Sequence, residues 1–155
     1  MGERYFEDFT EGERFVSASA TLSEALITEF ARDYDPQPFH VDPQAAQESH
    51  FGGLIASGFQ TMALAFRLFY QADLITACSM GSPGMDKVRW HRPVRPGDAI
   101  RSEVEVRELR GSDSKPDRGY GTLAYSVLNQ DDEIVMTFTC TLIMRRRPDA
   151  QSGAA

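Results

Sequence analysis

Apolar positions change their period along this chain, and the change divides it into a helical first half and a stranded second half. From Ser23 onward Leu26, Ile27, Phe30, Ala31 and Tyr34 recur at three- and four-residue steps, the spacing of one face of an α-helix. Ser23 offers a side-chain oxygen for the N-cap. Pro36 restricts the residue before it, so this helix is expected to stop near Tyr34. The segment Asp35 to Val41 holds two prolines within three positions and reads as a rigid loop. Asp42-Pro43 spells a second helix start, with the acid at the cap and proline at the first helical position. After a break at Phe51-Gly52-Gly53, the stretch from Ser57 to Tyr70 carries Phe59, Met62, Ala63, Leu64, Ala65, Phe66, Leu68 and Phe69. These cover most of a helix circumference, so a buried helix enclosed by other structure is expected.

The second half supplies the enclosing structure. Strands are expected at Lys87 to Arg92, Ala99 to Leu109, Gly119 to Asn129 and Glu133 to Arg145, separated by turn-rich pieces such as Arg95-Pro96-Gly97-Asp98 and Gln130-Asp131-Asp132. In the last of them Ile134, Met136, Phe138, Cys140, Leu142 and Met144 fall on one face, and Thr137, Thr139 and Thr141 on the other. Helices first and long antiparallel strands afterwards indicate an α+β domain. One domain is expected over residues 1–147, and the small polar tail 148–155 is expected to be disordered.

Composition narrows the partners. The 155 residues are 41% hydrophobic and 25% charged, ordinary for a folded globular chain. Sixteen basic against 23 acidic residues leave a formal net charge of -7, which repels a phosphate backbone and argues against nucleic acid. Arg67 and Asp73 interrupt the longest apolar run, well short of the roughly 20 residues that span a bilayer. The start, Met1 to Asp8, carries acids where a secretion signal carries none, so a cytoplasmic location without membrane association is expected. Cys78 and Cys140 have no metal-site or redox spacing, and three histidines are too few for a metal cluster.

The chemistry-bearing segment is Asp35-Pro36-Gln37-Pro38-Phe39-His40-Val41-Asp42. Two prolines stiffen it, so a carboxylate and an imidazole can be aimed at one point. Adding water across an activated double bond needs a base for the water and an acid for the neighbouring carbon, tasks that suit Asp and His. Spacing alone is a weak motif. A turn cap at Asp35 and a locally bonded His40 fit the same residues. Arg89, Arg92 and Arg95 are the candidate cations for an anionic ligand, and solvated strand residues balancing an acidic surface describe them equally well.

The surroundings are more specific. The segment resembles the signature of the MaoC-like dehydratase and (R)-specific enoyl-CoA hydratase family, Asp-x-Asn-Pro-aliphatic-His followed by a small helical residue, here Ala45 or Ala46. Gly53 to Gly58 is similar to that family's entry into its buried helix, Val88 to Asp98 to its Phe-x-x-Pro-Val-x-x-Gly-Asp strand and turn, and Phe6 to Gly12 to its opening. The likeness runs from about residue 5 to 145.

This resemblance implies a hotdog fold, a long antiparallel sheet wrapped around a buried central helix. It implies reversible hydration of an enoyl thioester, with Asp35 and His40 as the acid/base pair and the Gly58 N–H as oxyanion donor. Gln37 and Pro38 would support the loop, and Phe39, Ser57, Arg89 and Arg92 would meet substrate or coenzyme A. No metal or redox cofactor is implied, coenzyme A being part of the substrate. A homodimer or higher homo-oligomer, with pockets at the subunit interface, is implied as well. His91 is expected to be structural and Trp90 to be core. Two departures stand out: Gln37 replaces the usual Asn, and Thr61 is the sole aliphatic hydroxyl between Phe59 and Tyr70, where hydratases often carry a serine. The rivals are a hotdog acyl-CoA thioesterase, which would commonly place a carboxylate on the buried helix, and a non-catalytic acyl-CoA-binding subunit.

Overall fold

Two very short strands open the fold ahead of its first helix. The structure, a computed structural model, describes residues 2–148; the tail expectation, from position 149 on, lies outside them. A 3-10 turn (Phe6–Asp8) precedes β1 (Arg14–Val16) and β2 (Ala20–Thr21), both too short to show a hydrophobic period. Then come α1 (Glu24–Tyr34), α2 (Pro38–Val41), α3 (Pro43–Glu48) and α4 (Gly58–Tyr70). The chain ends in β3 (Gly84–Trp90), β4 (Ala99–Gly111), β5 (Arg118–Leu128) and β6 (Ile134–Arg145).

The caps read from sequence form. The Leu26 N–H donates to Ser23 Oγ at 3.2 Å, and Asp42 Oδ1 accepts from the Gln44 and Ala45 N–H groups at 2.9 and 3.3 Å. The stretch Asp35 to Val41, expected as loop throughout, instead closes one helical turn at Pro38–Val41. Proline is compatible with that first position because its missing N–H would have had no intrahelical acceptor.

All six strands join one antiparallel sheet of order β1-β4-β5-β6-β3, with β2 also on β4. Its inner face carries Ile100, Val104, Val106, Leu123, Tyr125, Val127, Phe138 and Leu142 against Leu64, Ala65, Leu68 and Phe69 of α4. This is the hotdog arrangement. The Ser102 hydroxyl donates to the Ala65 carbonyl at 2.9 Å, tying strand to helix, and Phe69 sits edge-on to Tyr125 at 5.5 Å. Truncating a ring so buried, as in Phe69→Ala, costs about 3–5 kcal/mol.

Two expectations change. Ile134 was placed on the core face, yet it is 44% exposed while Val135 is fully buried. The cause is a bulge: Val127 faces Met136 and Leu128 faces Ile134, which leaves Val135 as the extra residue and reverses the alternation before it. The sheet also covers only one side of α4. On the other side Phe59 and Tyr70 are 60% and 42% exposed, and Met62 and Phe66 are half-buried. Among the described residues no helix is long and apolar enough to cross a membrane.

Candidate active site

Asp35 stands at the C-cap of α1, where its N–H still donates to the Ala31 carbonyl at 2.9 Å and its backbone leaves the helix. The turn of α2 then buries His40 to 4% exposure. Gly52, at φ 66°, takes the left-handed conformation that a side chain disfavours and reverses the chain. The returning segment pairs with α2, the Ile55 N–H donating to the Phe39 carbonyl at 3.2 Å. It also brings the Ile55 carbonyl to 2.7 Å from His40 Nδ1.

That contact fixes the imidazole chemistry. A carbonyl only accepts, so Nδ1 carries a proton, and Nε2 is left to face Asp35 Oδ2 at 3.2 Å. The two side chains thus lie close enough to act on one small molecule between them. Asp35 receives further donors: Gln37 Nε2 at 2.8 Å on Oδ1 and the Ser57 hydroxyl at 2.7 Å on Oδ2. Burial alone would push the Asp35 carboxyl up, but the Gln37 and Ser57 hydrogen bonds, with the charge of His40, hold it below the usual carboxylate range.

Beside the pair lies a cavity of about 500 Å³ lined by Asp35, His40, Phe39, Gly58, Phe59 and Trp90, among others. Gly58, the first residue of α4, lines it at the helix end that carries a partial positive charge. Trp90 is not core: it is 51% exposed. β3 is an edge strand with no neighbour beyond it among the described residues, so the indole lies instead against Gly58. A Cβ on Gly58 would fall 2.4 Å from Trp90 Nε1 and 2.5 Å from Cε2. Gly58 is therefore required for the approach of the indole, a use beyond letting a thioester come close.

Comparisons with known proteins identify the family of the fold. The family profile described as MaoC like domain matches residues 8–128. The chain belongs to the MaoC-like family. It is 33% identical over 145 residues to uncharacterized protein YdeM of Bacillus subtilis, spanning 90% of this chain and 98% of that one. The crystal structure of a MaoC-like dehydratase from Rhodospirillum rubrum superposes with a TM-score of 0.83 at 38% identity, covering 94% of this chain and 99% of that one. A shorter match, 39% identical over 69 residues, links 44% of this chain to 46% of 3-hydroxyacyl-thioester dehydratase Z of Mycobacterium tuberculosis. Dehydratase is thus the activity named for these similar proteins.

In this MaoC-like chain the remaining candidates separate. Gln37, where Asn is usual, still reaches the Asp35 carboxylate. Pro38 opens α2, and Phe39 lines the cavity. Ser57, assigned from the resemblance to substrate contact, is fully buried, with its hydroxyl spent on Asp35. Arg92 lines the cavity and pairs with Glu133 at 3.3 Å. Arg89 donates to the neighbouring Val88 carbonyl at 2.7 Å and is not among the cavity residues. Arg95 donates to the Phe51 carbonyl at 2.6 Å, bracing the glycine turn in place of a phosphate. His91 shares the cavity, its Nε2 2.8 Å from Thr137 Oγ1. Among the described residues no three His, Cys, Asp or Glu side chains gather as metal ligands would.

Proposed function

We propose that this MaoC-like chain catalyses the reversible addition of water to the C2–C3 double bond of an enoyl thioester, giving a 3-hydroxyacyl thioester. The observation that carries this reading is the contact of His40 Nε2 with Asp35 Oδ2 at 3.2 Å, beside the N-terminus of α4 and at the edge of an apolar cavity. Asp35 orients a water and takes its proton as the water oxygen bonds to C3. The electron pair of the double bond moves onto the thioester oxygen, where the Gly58 N–H stabilises the enolate. His40 shares the water and returns a proton to C2. Hydration is redox-neutral and its base, acid and oxyanion donor all come from the chain, so the proposal needs no metal or redox cofactor. Coenzyme A enters as part of the substrate, with Arg92 as the cation that lines the cavity.

The same reading includes a homodimer. The uncovered side of α4 presents Phe59, Met62, Phe66 and Tyr70 as one stripe. β3, at the edge of the same sheet, bears Trp90 beside it. A second copy offers the same stripe and edge in return, which is what a two-fold interface requires.

A panel of enoyl-CoA thioesters, followed by loss of the conjugated thioester absorbance, tests the activity. Native protein is expected to hydrate at least one, with Asp35→Asn and His40→Gln each lowering turnover by about 10²–10⁴-fold while remaining folded. Near-native turnover in both variants would overturn the assignment. The thioesterase alternative finds no carboxylate on α4, whose residues run from Gly58 to Tyr70 without Asp or Glu.

A further inference from the structure

We propose that Ser57 is a positioning residue of this reaction, its buried hydroxyl clamping one oxygen of Asp35 to the first turn of α4 so that base and oxyanion donor are held as one unit. The proposal rests on the Asp35 and His40 reading given above. Ser57 has no exposed surface, so its hydroxyl has neither water nor substrate to turn toward. Its proton goes to Asp35 Oδ2 at 2.7 Å, across 22 residues of sequence. Ser57 Oγ in turn accepts the Phe59 N–H at 3.2 Å.

Asp35 Oδ2 is also the atom that meets His40 Nε2 at 3.2 Å. Ser57 therefore fixes the carboxylate oxygen that faces the imidazole, and its hydrogen bond is stronger to the ionised carboxylate than to the neutral acid. A second consequence concerns α4. The Phe59 N–H is spent on the Ser57 hydroxyl and the Thr61 N–H on the Ser57 carbonyl at 3.1 Å. Among the described residues the Gly58 N–H has no acceptor and stays free for an enolate oxygen. One side chain thus holds the base and occupies the Phe59 N–H, while the Gly58 and Gln60 N–H groups of the same turn have no acceptor among the described residues. Of the charged and titratable groups, His40 faces the Asp35 carboxylate directly, while His91 and Arg92 line the same cavity from the β3 side.

The test compares Ser57→Ala, Ser57→Gly and Ser57→Thr with native protein and Asp35→Asn. The Asp35 side-chain carbon is titrated by NMR, and hydration is followed against pH. Removing the hydroxyl is expected to raise the Asp35 midpoint by about one unit, to move the acid limb of kcat/KM the same way, and to lower kcat by about ten- to a hundredfold with KM little changed. Threonine, which keeps both hydrogen bonds, is expected to restore both readouts. Glycine caps a helix almost as well as serine, so an effect shared by the Ala and Gly variants is not fraying of α4. An Asp35 midpoint unmoved in both of them overturns the clamp whatever the activity does. A midpoint that moves while Asp35→Asn keeps native turnover sustains the clamp and overturns the reaction assigned to it.

Discussion

The two walls of the cavity are built differently. The wall running from Asp35 to Gly58 is a closed hydrogen-bonded set. His40 is 4% exposed, and both carboxylate oxygens of Asp35 accept donors at 2.8 Å or less. The facing wall, Trp90 to Val94, lies at and beyond the end of an edge strand and stays partly open: Trp90 is 51% exposed, and Arg92 pairs with Glu133 through side chains that solvent reaches. Proton transfer needs groups held within about half an ångström of their working geometry, which only the closed wall supplies. A wall that shapes and holds a ligand tolerates looser contacts, and exposed ion pairs of this kind contribute only about 0–1 kcal/mol.

The largest test of this contrast sets one substitution on each wall side by side. Asp35→Asn is expected to lower kcat/KM by about 10²–10⁴-fold through kcat. Arg92→Ala is expected to raise KM a few-fold, more at low salt, with kcat nearly native. Equal losses of kcat from both would erase the distinction between the walls.

A smaller effect is expected where the walls touch. Gly58→Ala places a methyl where the Trp90 ring now lies, costing about 1–3 kcal/mol unless the indole moves away. Trp90 is the sole tryptophan, so its emission should shift to the red as it enters water. In a Trp90→Ala background the penalty should largely vanish, and an additive pair would mean that the contact carries no energy.

The mildest test uses pH. The folded pKa of Asp35 is lowered, so the stability it contributes is present above the unfolded value of about 4 and is lost as pH falls through the lower folded value. The difference in unfolding free energy between native protein and Asp35→Asn should therefore be level from neutral pH to about pH 4 and close below it. A gap that closed between pH 5 and 7 would contradict this.

Much of this was legible in the chain. The cap at Ser23, the start at Asp42-Pro43 and the four long strands follow from side-chain chemistry and period, both of which are local. Ile134 was misread because a bulge adds a residue to one strand of a pair, and pairing is not visible in one strand alone. Pro38–Val41 was read as loop because two prolines argue against helix interiors, while a single turn has no interior.

The residues that carry the chemistry, Asp35 and His40, were likewise named by a local motif together with the resemblance that surrounds it. Their partners were not. Ser57 is 22 positions from the Asp35 carboxylate it holds, the Ile55 carbonyl lies 15 positions from the imidazole it orients, and Trp90 meets Gly58 only because the sheet edge folds back over the start of α4. Sequence by itself determined the residue types, the caps and the periods, since these depend on neighbours a few positions away. The tertiary structure decided which donors surround the carboxylate and which face of each ring the cavity sees, since hydrogen bonds and ring contacts act over a few ångströms of space whatever the separation along the chain.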